Sequence, residues 1–317
     1  MTDEIKSESE KAKNLYFNAT IDPEDYLNQL SQIKTEVLQN VANNFKANIN
    51  NVAGLLTLPA QMVKIGYITY AIRKSIEESK LTSKTEQEAF IKQYFKNHLG
   101  EENTRKILEI AFSEIQAHLE VEDKLTNDWQ SFLYAALLQS WTAFESLAND
   151  MWVGVLNAYP GNLAQRALAD KANKEQQAIE GLSQKQINID MLARYGYDLR
   201  SVMGTLLKDK FDLTGVNGLK KAYLTVFVNR DNDLKAKITE ILGDKDLYNL
   251  EQMRHVLTHR GGLVDENYIS NVKSPLIVGE KIELDMEKVV FYLNTAIKSG
   301  IKLLVVIDGY LSQINDK

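Results

Sequence analysis

The sequence contains no cysteine, which excludes disulfides and thiolate zinc sites and is compatible with a reducing compartment. Proline is scarce too: Pro23, Pro59, Pro160 and Pro275 are its only occurrences in 317 residues, so few positions forbid a continuing helix. There is no surplus of positive charge. Lys and Arg number 37 against 43 Asp and Glu, a net charge of -6, so no whole-protein basic field draws the chain to nucleic acid and a phosphate site must be a local patch. Runs of about 18 consecutive apolar residues are missing, and the opening MTDEIKSESEKAKN lacks the apolar core of a signal peptide. The expectation is a cytoplasmic protein, neither exported nor inserted into a membrane.

What the sequence does hold is helical periodicity. Hydrophobic residues make up 44% and charged residues 25%, as in ordinary globular proteins, and apolar residues recur at three- and four-residue spacing along most of the chain. An all-α fold is expected. Asp22 and Pro23 are placed as N-cap and first residue of a helix carrying Leu27, Leu30, Ile33, Val37 and Val41 on one face. Further helices fit 55–80, where Pro59 would begin or kink one, then 84–98 and 104–121. Residues 1–120 read as an N-terminal helical region without assignable chemistry, a packing or dimerisation region or one that senses or selects substrate, and 121–317 as a helical bundle domain. SPLIVGEKIELD breaks the helical pattern: its alternation around Gly279 suggests a small β-hairpin or extended arm. A final amphipathic helix comes after Asp285.

The most apolar helix spans 129–152, WQSFLYAALLQSWTAFESLANDMW. On a helical wheel Leu133, Ala136, Leu137, Trp141, Phe144, Leu147, Ala148 and Met151 form one buried arc, and Glu145 falls at its border. A carboxylate there needs a partner, because an isolated charge in apolar surroundings costs several kcal/mol. Arg254 shows the complementary oddity, lying inside the stripe formed by Leu247, Leu250, Met253 and Leu257. The two are expected to meet in a buried ion pair that fixes the guanidinium.

That Arg254 opens RHVLTHRGG. His255 and His259, four apart, share the more open side of the helix, and Gly261 and Gly262 stop it by supplying the left-handed C-cap. Arg260 sits in the last turn, as a cation offsetting the helix dipole or a phosphate contact. A histidine beside a fixed arginine is what metal-independent RNA cleavage requires: a proton carrier for the 2'-hydroxyl and the leaving oxygen, and a positive charge for the phosphate. Arg254 and His259 are five apart, however, and diverge by about 140° on an ideal helix. Two copies meeting across a two-fold axis would bring both pairs into one cleft.

The stretch resembles the R-x4-6-H motif of HEPN domains (higher eukaryotes and prokaryotes nucleotide-binding), with Arg254, four intervening residues and His259. The residue after the motif Arg is most often Asn or Asp in that family; here it is His255. The Glu145 helix looks like the family's first core helix with its acidic residue, and GGLVDENYI and VGEKIELD look like the segments after the motif in RiboL-PSP-type members. The resemblance covers roughly 125–310. It implies an all-α HEPN-like bundle, a homodimer with a composite active site and metal-independent endoribonuclease activity without cofactor. In that reading Arg254 and His259 are catalytic, with Glu145, His255 and Arg260 supporting. It also implies an anti-phage or toxin–antitoxin setting, with RNA as substrate and a cognate antitoxin or defence-system partner.

Other readings stand beside it. The same fold could be an inactive scaffold that binds RNA or protein. His255 and His259 have the i, i+4 spacing of a metal pair, with Glu251 or Asp265 as a further ligand, but Val256 stands where a zinc-protease helix needs Glu. Trp129, Trp141 and Trp152 read as core, and Lys208, Lys210, Lys220 and Lys221 as a solvated face or a patch guiding RNA.

Overall fold

The computed structural model describes residues 28–79, 83–98, 106, 110, 113, 117–119, 121, 123–175, 193–196, 198–229 and 231–315. Among the described residues the fold is all-α, with one isolated antiparallel bridge and no strand. The helices are α1 (Glu36–Ser79), α2 (Lys84–His98), α3 (Asp123–Ala158), α4 (Pro160–Glu175), α5 (Met203–Lys208), α6 (Val216–Phe227), α7 (Asn232–Ile241), α8 (Lys245–Arg260), α9 (Glu266–Val272) and α10 (Met286–Asn315).

Several expected boundaries shift. Asp22 and Pro23 lie outside the described residues, as does most of the helix expected at 104–121. The first long helix starts at Glu36, after a turn in which Gln32 N–H donates to the Gln29 carbonyl at 3.2 Å. It then runs through Pro59 instead of beginning there. An internal proline costs about 3 kcal/mol, yet Val52, Leu56 and Ala60 before and at the break and Ile68 and Ile72 after it are all buried. Burial of one stripe on both sides outweighs the lost hydrogen bond.

The described residues form two compact units, 51–136 with 284–287, and 28–50 with 137–283 and 288–315. These limits fall inside α1 and α3, not near residue 120. In the smaller unit Ile68 and Ile72 pack with Ile76, Ile91 and Tyr94. The Gln130 side chain donates to the Leu284 carbonyl at 2.7 Å and accepts from its N–H at 2.9 Å.

The larger unit is built around the second half of α3. Leu137, Trp141, Phe144, Leu147, Ala148, Met151 and Trp152 are all buried, which is the arc read from the sequence, extended by Trp152. Two polar tips inside this core find carbonyls: Tyr223 Oη donates to Ala148 at 2.7 Å and Trp152 Nε1 to Ala222 at 3.3 Å, fastening α6 to α3 and leaving neither donor open. α10 is long and apolar enough to cross a membrane by length and composition, but 61% of its apolar window is buried inside the protein, so it is a core helix.

The hairpin expected around Gly279 does not form. The turn is there, with Glu280 N–H donating to Ile277 at 3.1 Å, but its flanks pair with the segment after α8. Val264 N–H donates to Glu280, Gly279 N–H to Val264 and Ile282 N–H to Gly262, at 2.8 to 2.9 Å, around the Leu263–Lys281 bridge. The alternation at 276–284 thus marks an arm laid along 262–264.

Candidate functional site

α8 is defined at both ends by its own residues. Asp244 caps it, its carboxylate accepting the Asp246 and Leu247 N–H groups at 2.9 Å. Gly261 ends it in the left-handed region, at φ 60°, where a side chain would be strained. Between them Leu247, Leu250, Met253, Val256 and Leu257 are buried. Arg254 lies at the edge of this stripe, half-buried, while His255, His259 and Arg260 are exposed.

The expected Glu145–Arg254 ion pair is not formed as a contact: among the described residues no salt bridge joins them, and Trp141 stands in its place. The Arg254 guanidinium lies over the Trp141 ring, 5.4 Å from its centroid, and Trp141 Nε1 donates to Glu145 Oε2 at 2.8 Å. The indole therefore serves both charges at once, its face to the cation and its N–H to the carboxylate. Trp141 and Glu145 are four apart on α3, one above the other on the same face. Burial pushes the Glu145 carboxyl above its ordinary value, opposed by the attraction of Arg254 and the Trp141 hydrogen bond.

A second grip on Arg254 comes from the turn before α6, where Arg254 Nη2 donates to the Thr214 carbonyl at 2.7 Å. Asp212 shapes that turn by accepting the Thr214 N–H at 3.0 Å and its hydroxyl at 2.6 Å, and these bonds hold the Asp212 carboxyl below its usual range. Asn149 on α3 donates to the Leu213 carbonyl at 3.1 Å. Glu251, one turn before Arg254 on α8, accepts the Val216 N–H at 3.0 Å and so caps α6. Burial raises the Glu251 carboxyl, against the Val216 bond.

The two imidazoles form the exposed part, His255 and His259 stacking at a tilt with centroids 4.7 Å apart. Arg260 turns away from them to Asp265, Nε to Oδ2 at 2.9 Å. Asp265 also caps α9 by accepting the Tyr268 N–H at 2.8 Å. Glu251 and Asp265, considered as metal ligands beside the histidines, are thus engaged by a backbone N–H and a guanidinium. Among the described residues no group of three or more histidine and acidic side chains is arranged to hold a metal ion.

The structure brings Arg254, Glu145 and Glu251 into one charged cluster, with His255 and His259 exposed on the same helix as Arg254. Arg254 faces a tryptophan and a carbonyl, His259 faces solvent, and the 140° divergence read from the wheel has its counterpart in these different surroundings. Sequence reasoning missed Trp141 as a binding partner, Glu251 as a cap and the Asp212–Gly215 turn. The signals were present: a Trp–Glu pair at i, i+4, and the D-L-T-G order of a side-chain-closed turn ahead of an amphipathic segment.

Comparison of the chain with protein-family models, curated proteins and solved structures gives no match, so the reading of this site stands on its own residues.

Proposed function

We propose that the chain is a HEPN-like, metal-independent endoribonuclease of the cytoplasm that works as a homodimer in anti-phage defence or beside a cognate antitoxin. The observation that carries this reading is the end of α8, where two exposed imidazoles stand 4.7 Å apart on the helix that holds Arg254 against Trp141 and Thr214. His259 takes the proton of a ribose 2'-hydroxyl, whose oxygen attacks the adjacent phosphorus; the bond to the 5'-oxygen breaks and that oxygen receives a proton. The products are a 2',3'-cyclic phosphate and a 5'-hydroxyl. Arg254 orients the phosphate and offsets its growing charge, and His255 serves as the neighbouring proton carrier. One copy presents Arg254 and His259 in different directions, and a two-fold pairing of α8 supplies both to one phosphate.

A second reading, a non-catalytic module that binds RNA or protein, draws support from one observation: the Arg254 guanidinium is already engaged by a carbonyl and an aromatic face. Incubating the purified protein with total RNA in excess chelator separates the two. The enzyme reading expects cleavage with cyclic-phosphate termini, abolished by His259→Ala in a protein that still melts cooperatively. RNA left intact by wild type and variant alike, with binding retained, establishes the module instead.

A further inference from the structure

The first helix carries a face that none of the described residues covers. Gly54, Leu58, Met62, Gly66 and Tyr70 recur every four residues along α1 and all are exposed, forming one ridge about 24 Å long at 1.5 Å per residue. Leu58 is 49% exposed, Met62 64% and Tyr70 65%, and Ile65 on the adjoining row 63%. A side chain added at Gly54 or Gly66 would meet nothing within 4 Å. Between residues 51 and 72 the only charged side chain is Lys64, which is partly buried, so the open face bears no charge in a chain that is 25% charged.

We infer that this face of α1 binds the same face of a second copy of the chain, antiparallel, about a two-fold axis passing beside residue 60. Such a charge-free ridge matches an uncharged partner, and it is its own complement. Leu58 and Met62 are equidistant from that axis, as are Gly54 and Gly66, so a two-fold sets Leu58 of one copy against Met62 of the other, and glycine against glycine. Large side chains meet at the centre, and the flanking glycines let the backbones approach as the four-residue ridges interlock. Leu58, Met62, Ile65 and Tyr70, at roughly 100 Å² each, bring about 400 Å² to the contact, half of the 800 Å² or so that each partner buries in a standard interface, which places the association among the smaller, reversible ones.

A lipid surface fits less well. Interfacial helices carry Lys and Arg along the polar side, and this segment has Lys64 alone. By length and composition α1 could cross a membrane, with 22% of its apolar window buried in the protein, but Val52, Leu56, Ala60, Ile68 and Ile72 keep one side of it against protein, which leaves one open face and not a whole helix to be covered. The association is independent of the ribonuclease reading, needing neither catalysis nor the pairing of α8.

Sedimentation of the full chain over a range of concentrations tests the inference. Wild type is expected to self-associate, as a dimer where this face alone pairs and as a larger assembly where α8 pairs as well, and Met62→Glu, which sets carboxylates close to one another across the axis, to weaken association through α1 by roughly a hundredfold with its helical circular dichroism and melting unchanged. Because the chain has no cysteine, the double variant Leu58→Cys/Met62→Cys is expected to form disulfide-linked dimers on mild oxidation, while Phe291→Cys, exposed on α10, is not; this arm holds even where Met62→Glu fails to fold. A wild type monomeric at all concentrations overturns the inference. So does a dimer indifferent to Met62→Glu and not cross-linked through residues 58 and 62, or a monomer that floats with neutral phosphatidylcholine vesicles. Cleavage of RNA is assayed separately, so a dimer without nuclease activity sinks only the enzyme reading.

Discussion

Arg254 rests on the face of Trp141, 5.4 Å from the ring centroid, and reaches no carboxylate directly among the described residues. A cation over an indole is stabilised by the ring's charge distribution, which here accompanies a half-buried guanidinium whose Nε is buried with no hydrogen-bond partner. The same indole spends its N–H on Glu145, so three residues form one unit although only two of them carry charge.

The Trp141 unit sets the first prediction. Trp141→Phe keeps an aromatic face for Arg254 and removes the hydrogen bond to Glu145; urea unfolding is expected to show a loss of about 2 kcal/mol. Trp141→Ala removes the ring as well and is expected to cost about 4 kcal/mol. A Trp141→Phe as stable as wild type would show that the Glu145 bond contributes nothing, and equal losses in the two variants would show the same of the ring.

pH gives the second. Burial raises both Glu145 and Glu251 above the ordinary 4.5, so the folded protein binds protons at these sites more readily than the unfolded chain. Their stabilising contribution is complete below 4.5 and is lost as pH rises through the raised values. Asp212 has the opposite sign: lowered from 3.8, it contributes above that value and loses its contribution in stronger acid. Urea midpoints of wild type and Glu251→Gln, compared from neutral pH downward, are expected to shift in favour of wild type as the glutamate range is entered. A shift in favour of the variant contradicts the raised value.

The third concerns the turn that holds Arg254. A Cβ at Gly218 would lie 1.9 Å from the Asp212 carbonyl oxygen, a backbone atom that cannot swing away. Gly218→Ala is expected to displace the Asp212–Thr214 turn and cost about 2 kcal/mol or more, measured by thermal unfolding. A fully stable Gly218→Ala would mean that the turn relaxes freely and places no constraint on Arg254.

The all-α character, the buried arc of α3, the stripe of α8 and its glycine stop were legible because each is written within a single helix, as spacing plus a cap. The oddity of Glu145 and Arg254 was legible too, since a charge on an apolar stripe is visible on a wheel. What lay between them was not. A helical wheel shows Trp141 as apolar area and hides its N–H, so the charges were joined directly. The hairpin alternative at 276–284 failed for a similar reason, while the extended arm formed: alternation reveals an extended backbone and leaves open which segment it bonds, and Val264 is as good an acceptor as a neighbouring strand. Of the two roles open to Pro59, beginning a helix or kinking one, the first is excluded by a helix that runs from Glu36 to Ser79; a local rule leaves both open because it ignores the burial of Ile68 and Ile72, which lies beyond its window.

Asp308, near the end of α10, accepts the backbone N–H groups of Thr35 at 2.9 Å and Lys34 at 3.1 Å, across 273 and 274 positions of sequence. The start of α1 is therefore fastened by a residue made 273 positions later than Thr35. Until then those N–H groups have only water, and the face of 36–50 that belongs against α10 has nothing to cover it. A growing chain must carry that surface open until Asp308 and the helix around it have been made, and a truncation before residue 308 would leave it open for good.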